Sequence, residues 1–172
     1  MPGKAAIATV DKFVTLGVGQ EVFAIGVDAV REILDLQPVA ALPNAPPFLM
    51  GIIDVRGEAV PVISLRRKLG LAADVSTAHS RVLVTEVSIA DRPLLLGLVA
   101  DRVFEVTELD ESGVGAPPEI GTRWRSDYIR AIGRRSGRFV IVFDLGKLFS
   151  SEEAALLSEG EGNAPPPEGS VP

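Results

Sequence analysis

Residues 51–65 read GIIDVRGEAVPVISL, and residues 131–145 read AIGRRSGRFVIVFDL. The two stretches lie 80 positions apart. At that offset Ile52 falls on Ile132, Gly57 on Gly137, Val60 on Val140, Val62 on Val142 and Leu65 on Leu145. Each stretch holds two short apolar runs around a glycine pair, Arg56-Gly57 or Ser136-Gly137, which predicts a β-hairpin. Pro61 has no amide to donate, so its strand is expected to be an edge or to carry a bulge. Beyond each hairpin stands a capping residue, Ser64 or Asp144. SLRRKLG then reads as a turn or two of helix ended by Gly70.

A second block repeats at an offset of 73. Asp28 falls on Asp101, Val30 on Val103, Glu32 on Glu105 and Ile33 on Val106. DAVREIL, residues 28–34, is read as a short helix capped by Asp28, with Val30, Ile33 and Leu34 on one side. The offsets differ by seven, an ordinary change in loop length. Two blocks in the same order argue for internal duplication into two units of about 70 to 80 residues.

The rest of the body is also rich in short strands. KFVTLGV and EVFAIGV flank Gly19-Gln20, where Gly19 suits the first central position of a type II′ turn. Phe23, Ile25 and Val27 alternate to give one apolar face. RVLVTEV and RPLLLGLV supply further strands. Ser150 and Glu153 have capping-box spacing at the start of a closing helix, with Gly160 just past its end. Strands this short and numerous predict an all-β chain with short helices, folded as two small barrels whose closure removes free edges.

The chain has 172 residues, 47% hydrophobic and 23% charged, enough for one ordinary domain with a buried core, or two very small ones. It contains no cysteine and one histidine, His79, which excludes disulfide scaffolds, thiolate chemistry and multi-histidine metal sites. The net charge of −6 lacks the footprint of a general nucleic-acid binder. MPGKAAIATV carries one lysine and lacks a long apolar stretch, so no targeting segment is expected there. Leu36–Ile53 is uncharged, but Pro38, Pro43, Pro46 and Pro47 interrupt it as a membrane span. The expected location is the cytoplasm. Residues 159–172, EGEGNAPPPEGSVP, are too poor in apolar groups to order themselves and are expected to be a disordered tail.

No catalytic constellation emerges. Glu152 with Glu153 suits a helix first turn, and Asp110 with Glu111 suits a loop. His79, with Ser76, Thr77 and Ser80 nearby, lacks an orienting partner and reads as a linker histidine. The glycines form no phosphate cradle. Arg123, Arg125, Arg130, Arg134, Arg135 and Arg138, with Trp124 and Tyr128, could make a single-stranded nucleic-acid patch on a barrel. A solvated hairpin tip fits them better in an acidic chain. Arg56 sits at a turn amid apolar neighbours, a common setting for an interface anchor.

VDAVREIL, NAPPFLMGIIDVRGEAVPVISLRRKLG, LLLGLVADRVFEV and YIRAIGRRSGRFVIVFDLGKLFSSEEAALL together resemble the CheW family of bacterial chemotaxis coupling proteins. The most specific pieces are Pro46–Gly57, the strand and helix after it, and Gly97–Asp101. The resemblance covers residues 9–158. It implies two five-stranded SH3/OB-like barrels, roughly 9–77 and 78–149, with segments exchanged, a hydrophobic groove between them and a closing helix at 150–158. It also implies a scaffold without enzymatic activity or cofactor, a monomer in isolation. Its implied partners are the cytoplasmic tip of methyl-accepting chemoreceptors and the regulatory domain of the histidine kinase CheA, with no nucleic acid and no membrane insertion. Val30, Glu32, Gly51, Arg56, Gly57, Gly97, Val103 and Val106 match positions linked to receptor or kinase contact. Arg102 departs from the pattern, since a small residue is common there. An alternative output is a non-flagellar pathway such as twitching or development.

Overall fold

The computed structural model describes residues 12–71, 76–89, 91–109 and 128–162. Ten strands form two five-stranded sheets. They are β1 (Phe13–Val18), β2 (Glu21–Gly26), β3 (Val30–Asp35), β4 (Leu49–Val55), β5 (Glu58–Ser64), β6 (Arg81–Ile89), β7 (Arg92–Ala100), β8 (Arg102–Thr107), β9 (Ile129–Arg135) and β10 (Arg138–Phe143). The first sheet runs β8-β1-β2-β10-β9 and the second β3-β6-β7-β5-β4. Helix α1 (Leu65–Lys68) follows β5, and α2 (Ser151–Gly162) closes the described chain.

The two orders are the same pattern written twice. Shifted along the chain, β1 and β2 correspond to β6 and β7, β3 to β8, and β4–β5 to β9–β10. Each unit, however, places its first hairpin in one sheet and its last three strands in the other. A division into sequential barrels, 9–77 and 78–149, therefore does not follow the sheets; the exchange is reciprocal. Parallel pairing of β2 with β10 and of β5 with β7 seals it.

Bulges repeat as well. Arg31 is the extra residue where β3 meets β6, and Phe104 is the extra residue where β8 meets β1. Met50 and Arg130 stand in the same relation in β4 and β9. A bulge bends its strand and tightens local twist, which lets five strands curl. The curl brings the end strands of each order together, as two ion pairs described below show.

The core has three compartments, and the exchange explains them. Phe13, Ala24, Ala131, Val140 and Val142 fill the inside of the first sheet. Ile53, Val55, Val60, Val62, Val82 and Val84 fill the second. Between them lies a larger shared core with Leu16, Phe23 and Ile25 from one sheet and Ile63, Leu83, Leu96 and Leu98 from the other. Phe23 stacks on Phe143 at 4.7 Å. Strand β1 is buried along its whole length because it separates one compartment from the next. The expected hydrophobic groove between barrels is thus a filled core. The depression beside it, about 610 Å³, has a mixed lining, with Gln20, Glu21, Arg66 and Asp101 alongside Val22 and Phe104.

Several local expectations change. Residues 30–35 form a strand, not a helix; only Val27–Ala29 make a 3-10 turn, and Asp28 lies within it instead of capping it. Strand β3 buries Val30, Glu32 and Leu34 in part and exposes Arg31, Ile33 and Asp35, a period of two. Six residues with three apolar ones fit either period, and pairing with β6 decides the outcome. Pro61 is in an interior strand, yet its missing amide is harmless because the parallel ladder to β7 starts at Val62. Ser64 accepts from the Arg67 amide at 3.2 Å as a cap should, whereas Asp144 makes no side-chain cap bond. Gly19 and Gly70 take positive φ, as their turn and helix-end positions require. The capping box forms: Ser150 Oγ accepts from the Glu153 amide at 3.1 Å, and Glu153 accepts from the Ser150 amide at 2.8 Å. Helix α2 runs through Gly160 to Gly162, so residues 159–162 belong to it and not to a tail. Residues 163–172, the Asp110–Thr122 loop, Arg123, Trp124 and Arg125 lie outside the described residues.

Candidate functional site

Two surfaces, one on each sheet, are built from matching parts. On the second sheet the β4–β5 hairpin turns at Arg56 and Gly57, both at positive φ (53° and 87°). Both central residues of a type I′ turn need this, and it matches the right-handed twist of the strands. Gly57 bears it without strain, and its amide donates to Asp54 Oδ1 at 2.8 Å. Arg56 reaches across to β3, where its Nε and Nη2 donate to the Glu32 carboxylate at 3.1 and 3.3 Å. Strands β3 and β4 are opposite ends of the sheet order, so this fork spans the two ends of the curled sheet. The hydrogen bond to Glu32, then its charge, push the Arg56 guanidinium above its ordinary pKa. Its side chain is still 79% exposed. The guanidinium is oriented by Glu32 and presented to solvent.

The first sheet repeats the device. Arg135, at the β9–β10 tip, pairs with Glu105 of β8 at 2.9 Å, again joining the two end strands. Glu105 is the repeat partner of Glu32. The arginine has moved one place: Ser136 and Gly137 now take the positive φ values that Arg56 and Gly57 take in the other sheet. Around this tip Arg134 lies over the Phe139 ring at 4.8 Å, and Arg138 donates to the Gln20 carbonyl at 3.1 Å. Arg134, Arg135 and Arg138 are each engaged within the chain, which weighs against the nucleic-acid patch.

The predicted residues do not share one surface. Val30 and Val103 hold equivalent places, half-buried on β3 and β8, and both pack against the shared core. Glu32 and Arg56 meet at the fork across the sheet ends. Val106 is 53% exposed, beside Phe104 at 49%. Gly51 and Gly97 are buried, so they present no surface of their own and act through packing. Gly51 has φ of 149°, and a Cβ there would come within 2.1 Å of the Ala40 carbonyl oxygen. That contact exists because Ala40 pairs with Ile52 through two 2.9 Å backbone bonds and covers the outer edge of β4. At Gly97 a Cβ would come within 2.9 Å of Val82.

Sequence reasoning passed over Glu105, although its match to Glu32 at the 73-residue offset was a usable signal. It also missed Lys68. This side chain of α1 bonds Glu153 of α2 and lies over the Phe48 and Phe149 rings at 4.9 and 5.5 Å. Local pattern carries no trace of that contact, which spans 85 positions. His79 is exposed, with its amide bonded to Thr77 Oγ1. No group of three acidic, histidine or cysteine side chains among the described residues could hold a metal. No helix among them is long and apolar enough to cross a membrane.

Residues 12–153 match the family described as the CheW-like domain. The chain is 31% identical over 147 residues to the chemotaxis protein CheW of Treponema pallidum (strain Nichols), covering 86% of each chain. It is 31% identical over 165 residues to the chemotaxis protein CheW of Klebsiella aerogenes, covering 89% of this chain and 95% of that one. The crystal structure of the scaffolding protein TtCheW from Thermoanaerobacter tengcongensis aligns with a TM-score of 0.71 at 27% identity, over 81% of this chain and 88% of that one. The twice-written five-stranded sheet, the matched span and these relatives agree, and the chain belongs to the CheW-like family.

Proposed function

We propose that the chain is a non-enzymatic adaptor of a chemosensory array. It couples the cytoplasmic tip of methyl-accepting chemoreceptors to the regulatory domain of the histidine kinase CheA, and it works in the cytoplasm at the receptor-bearing membrane. The observation that carries this reading is the Glu32–Arg56 fork. An arginine at positive φ, aimed by a carboxylate and exposed at a tip, adds little to stability. Its planar multi-donor head suits a partner's carboxylate or helix-end carbonyl. Val30, Val103 and Val106 offer apolar contact on the equivalent strands, and Gly51, Gly57 and Gly97 shape the backbone that carries them. The shared core joins both sheets, so the two surfaces are carried on one body.

The test is binding of wild type and Arg56→Ala to a receptor cytoplasmic fragment and to CheA, measured separately, with thermal melts alongside. The variant is expected to melt like wild type and to lose about ten- to a hundredfold in affinity for at least one partner. Unchanged affinity for both would remove Arg56 from the interface. Failure of the wild type to bind either partner would overturn the adaptor reading.

A further inference from the structure

The chain passes between the two sheets twice. The first crossing, from β2 to β3, uses three residues, Val27–Ala29. The second, from β7 to β8, uses one, Asp101. Each residue has only two soft backbone dihedrals, so a one-residue crossing concentrates the angle between the sheets at a single position.

That position is tied on both sides. The Asp101 amide donates to the Gly17 carbonyl at 2.9 Å. Its carboxylate accepts from the Gly19 amide at 2.8 Å, at the β1–β2 turn of the first sheet. The same carboxylate accepts from Arg66 of α1, on the second sheet's side, through Nε at 3.0 and 3.1 Å and Nη2 at 3.0 Å. The two side chains are only 20% and 26% exposed. Charge-assisted, forked bonds of this kind are the stronger and more directional ones. Among the described residues the first crossing shows no such fork: at the 80-residue offset Arg66 falls on Gly146, which has no guanidinium to offer.

We propose that Asp101 is a positioning residue whose carboxylate, clamped between Gly19 and Arg66, locks the angle between the two sheets. The lock sets the spacing between the partner surfaces on β3 and β8. Only this last consequence rests on the adaptor reading; the lock itself stands without any partner.

The natural chain has no cysteine, so two introduced cysteines can be spin-labelled uniquely. Glu58→Cys and Arg130→Cys place exposed labels on opposite sheets, and pulsed electron resonance reads the distance between them. The labelled parent is expected to give one narrow distribution. Asp101→Asn and Arg66→Gln should each broaden it, and the double variant should be no broader than the broader single one. An unchanged width in both folded variants would overturn the lock. Should Asp101→Asn not fold, Arg66→Gln decides alone, since it leaves the bond to Gly19 in place. With receptor fragment and CheA, each variant should keep its affinity for one partner at a time. Simultaneous capture of both should fall about tenfold, as expected when geometry no longer favours joint engagement. Undiminished joint capture by a variant with a broadened distribution would overturn the role in spacing. A parent that binds neither partner would overturn the adaptor reading and leave the lock to be judged by distance alone.

Discussion

Strands β3 and β8 end their sheets in the same way, each with a bulge at the same point and a glutamate just after it. The residue pushed out by the bulge differs. Arg31 pairs with Glu86 on the second sheet, while Phe104 stands half exposed under Arg102 on the first. The hairpin tips differ in the same spirit. Asp54 and Glu58 surround Arg56, whereas Arg134 and Arg138 surround Ser136 and Gly137. Duplication has kept what the backbone needs, namely pairing order, bulges and turns, and beside them a Glu–Arg pair across the sheet ends. It has released what only the surface sees.

The sharpest way to break the equivalence is at Gly51, whose repeat partner is Ala131. Ala131 carries its methyl group into the first sheet's core without strain. Gly51→Ala should cost on the order of 2–5 kcal/mol, from left-handed backbone strain and collision with Ala40 together. Ala131→Gly should cost only about 1 kcal/mol. Chemical denaturation of the two variants measures both, and equal costs would mean that the Ala40 contact yields.

Val30→Ala and Val103→Ala sharpen the comparison instead. Both valines are half-buried against the same shared core. Each substitution is expected to cost about 1 kcal/mol, and the two values should agree closely. A large difference would show that the shared core is unevenly packed.

The helical turn that follows each pair of closing strands, α1 after β5 and the 3-10 turn Leu145–Lys147 after β10, supplies a third comparison. Lys68 of α1 corresponds to Leu148, which is buried in the shared core. One half uses an ion pair where the other uses a hydrocarbon. Burial alone would raise the Glu153 pKa and is the largest single influence. Bonds from Lys68 and from the Ser150 amide, the Lys68 charge and the Ser150 hydroxyl together outweigh it and hold the carboxyl below the ordinary glutamate range. A lowered folded pKa contributes stability that is complete above the unfolded value. That stability is lost as pH falls through the folded value. The melting temperature should therefore hold from neutral pH down to about 4.3 and then decline, and Glu153→Gln should flatten the decline. A parallel acid limb in the variant would exclude this pair as its source.

The smallest expected effect is at the second tip. Arg135→Ala removes a half-exposed pair with Glu105 and should change stability by about 0.5 kcal/mol. A larger loss would mean that this fork holds the first sheet closed, as no exposed pair normally does.

The amino-acid sequence by itself determined the duplication, the hairpins and their turns, the caps at Ser64 and Ser150, and the family. Each rests on residues close in the chain: glycine at positive φ, a hydroxyl three places before an amide, alternating apolar side chains. Only the tertiary structure decided which hairpin joins which sheet, because the parallel pairings of β2 with β10 and β5 with β7 join segments far apart and leave no local mark. It also decided that residues 30–35 are a strand, since six residues fit either period until β6 lies beside them. Arg56 was legible as an exposed turn arginine, but not its fork with Glu32, which exists only because the sheet curls. Gly51 and Asp101 show the same limit. Neither the Ala40 carbonyl that forbids a side chain nor the Arg66 guanidinium that grips a carboxylate is a neighbour until the chain has folded.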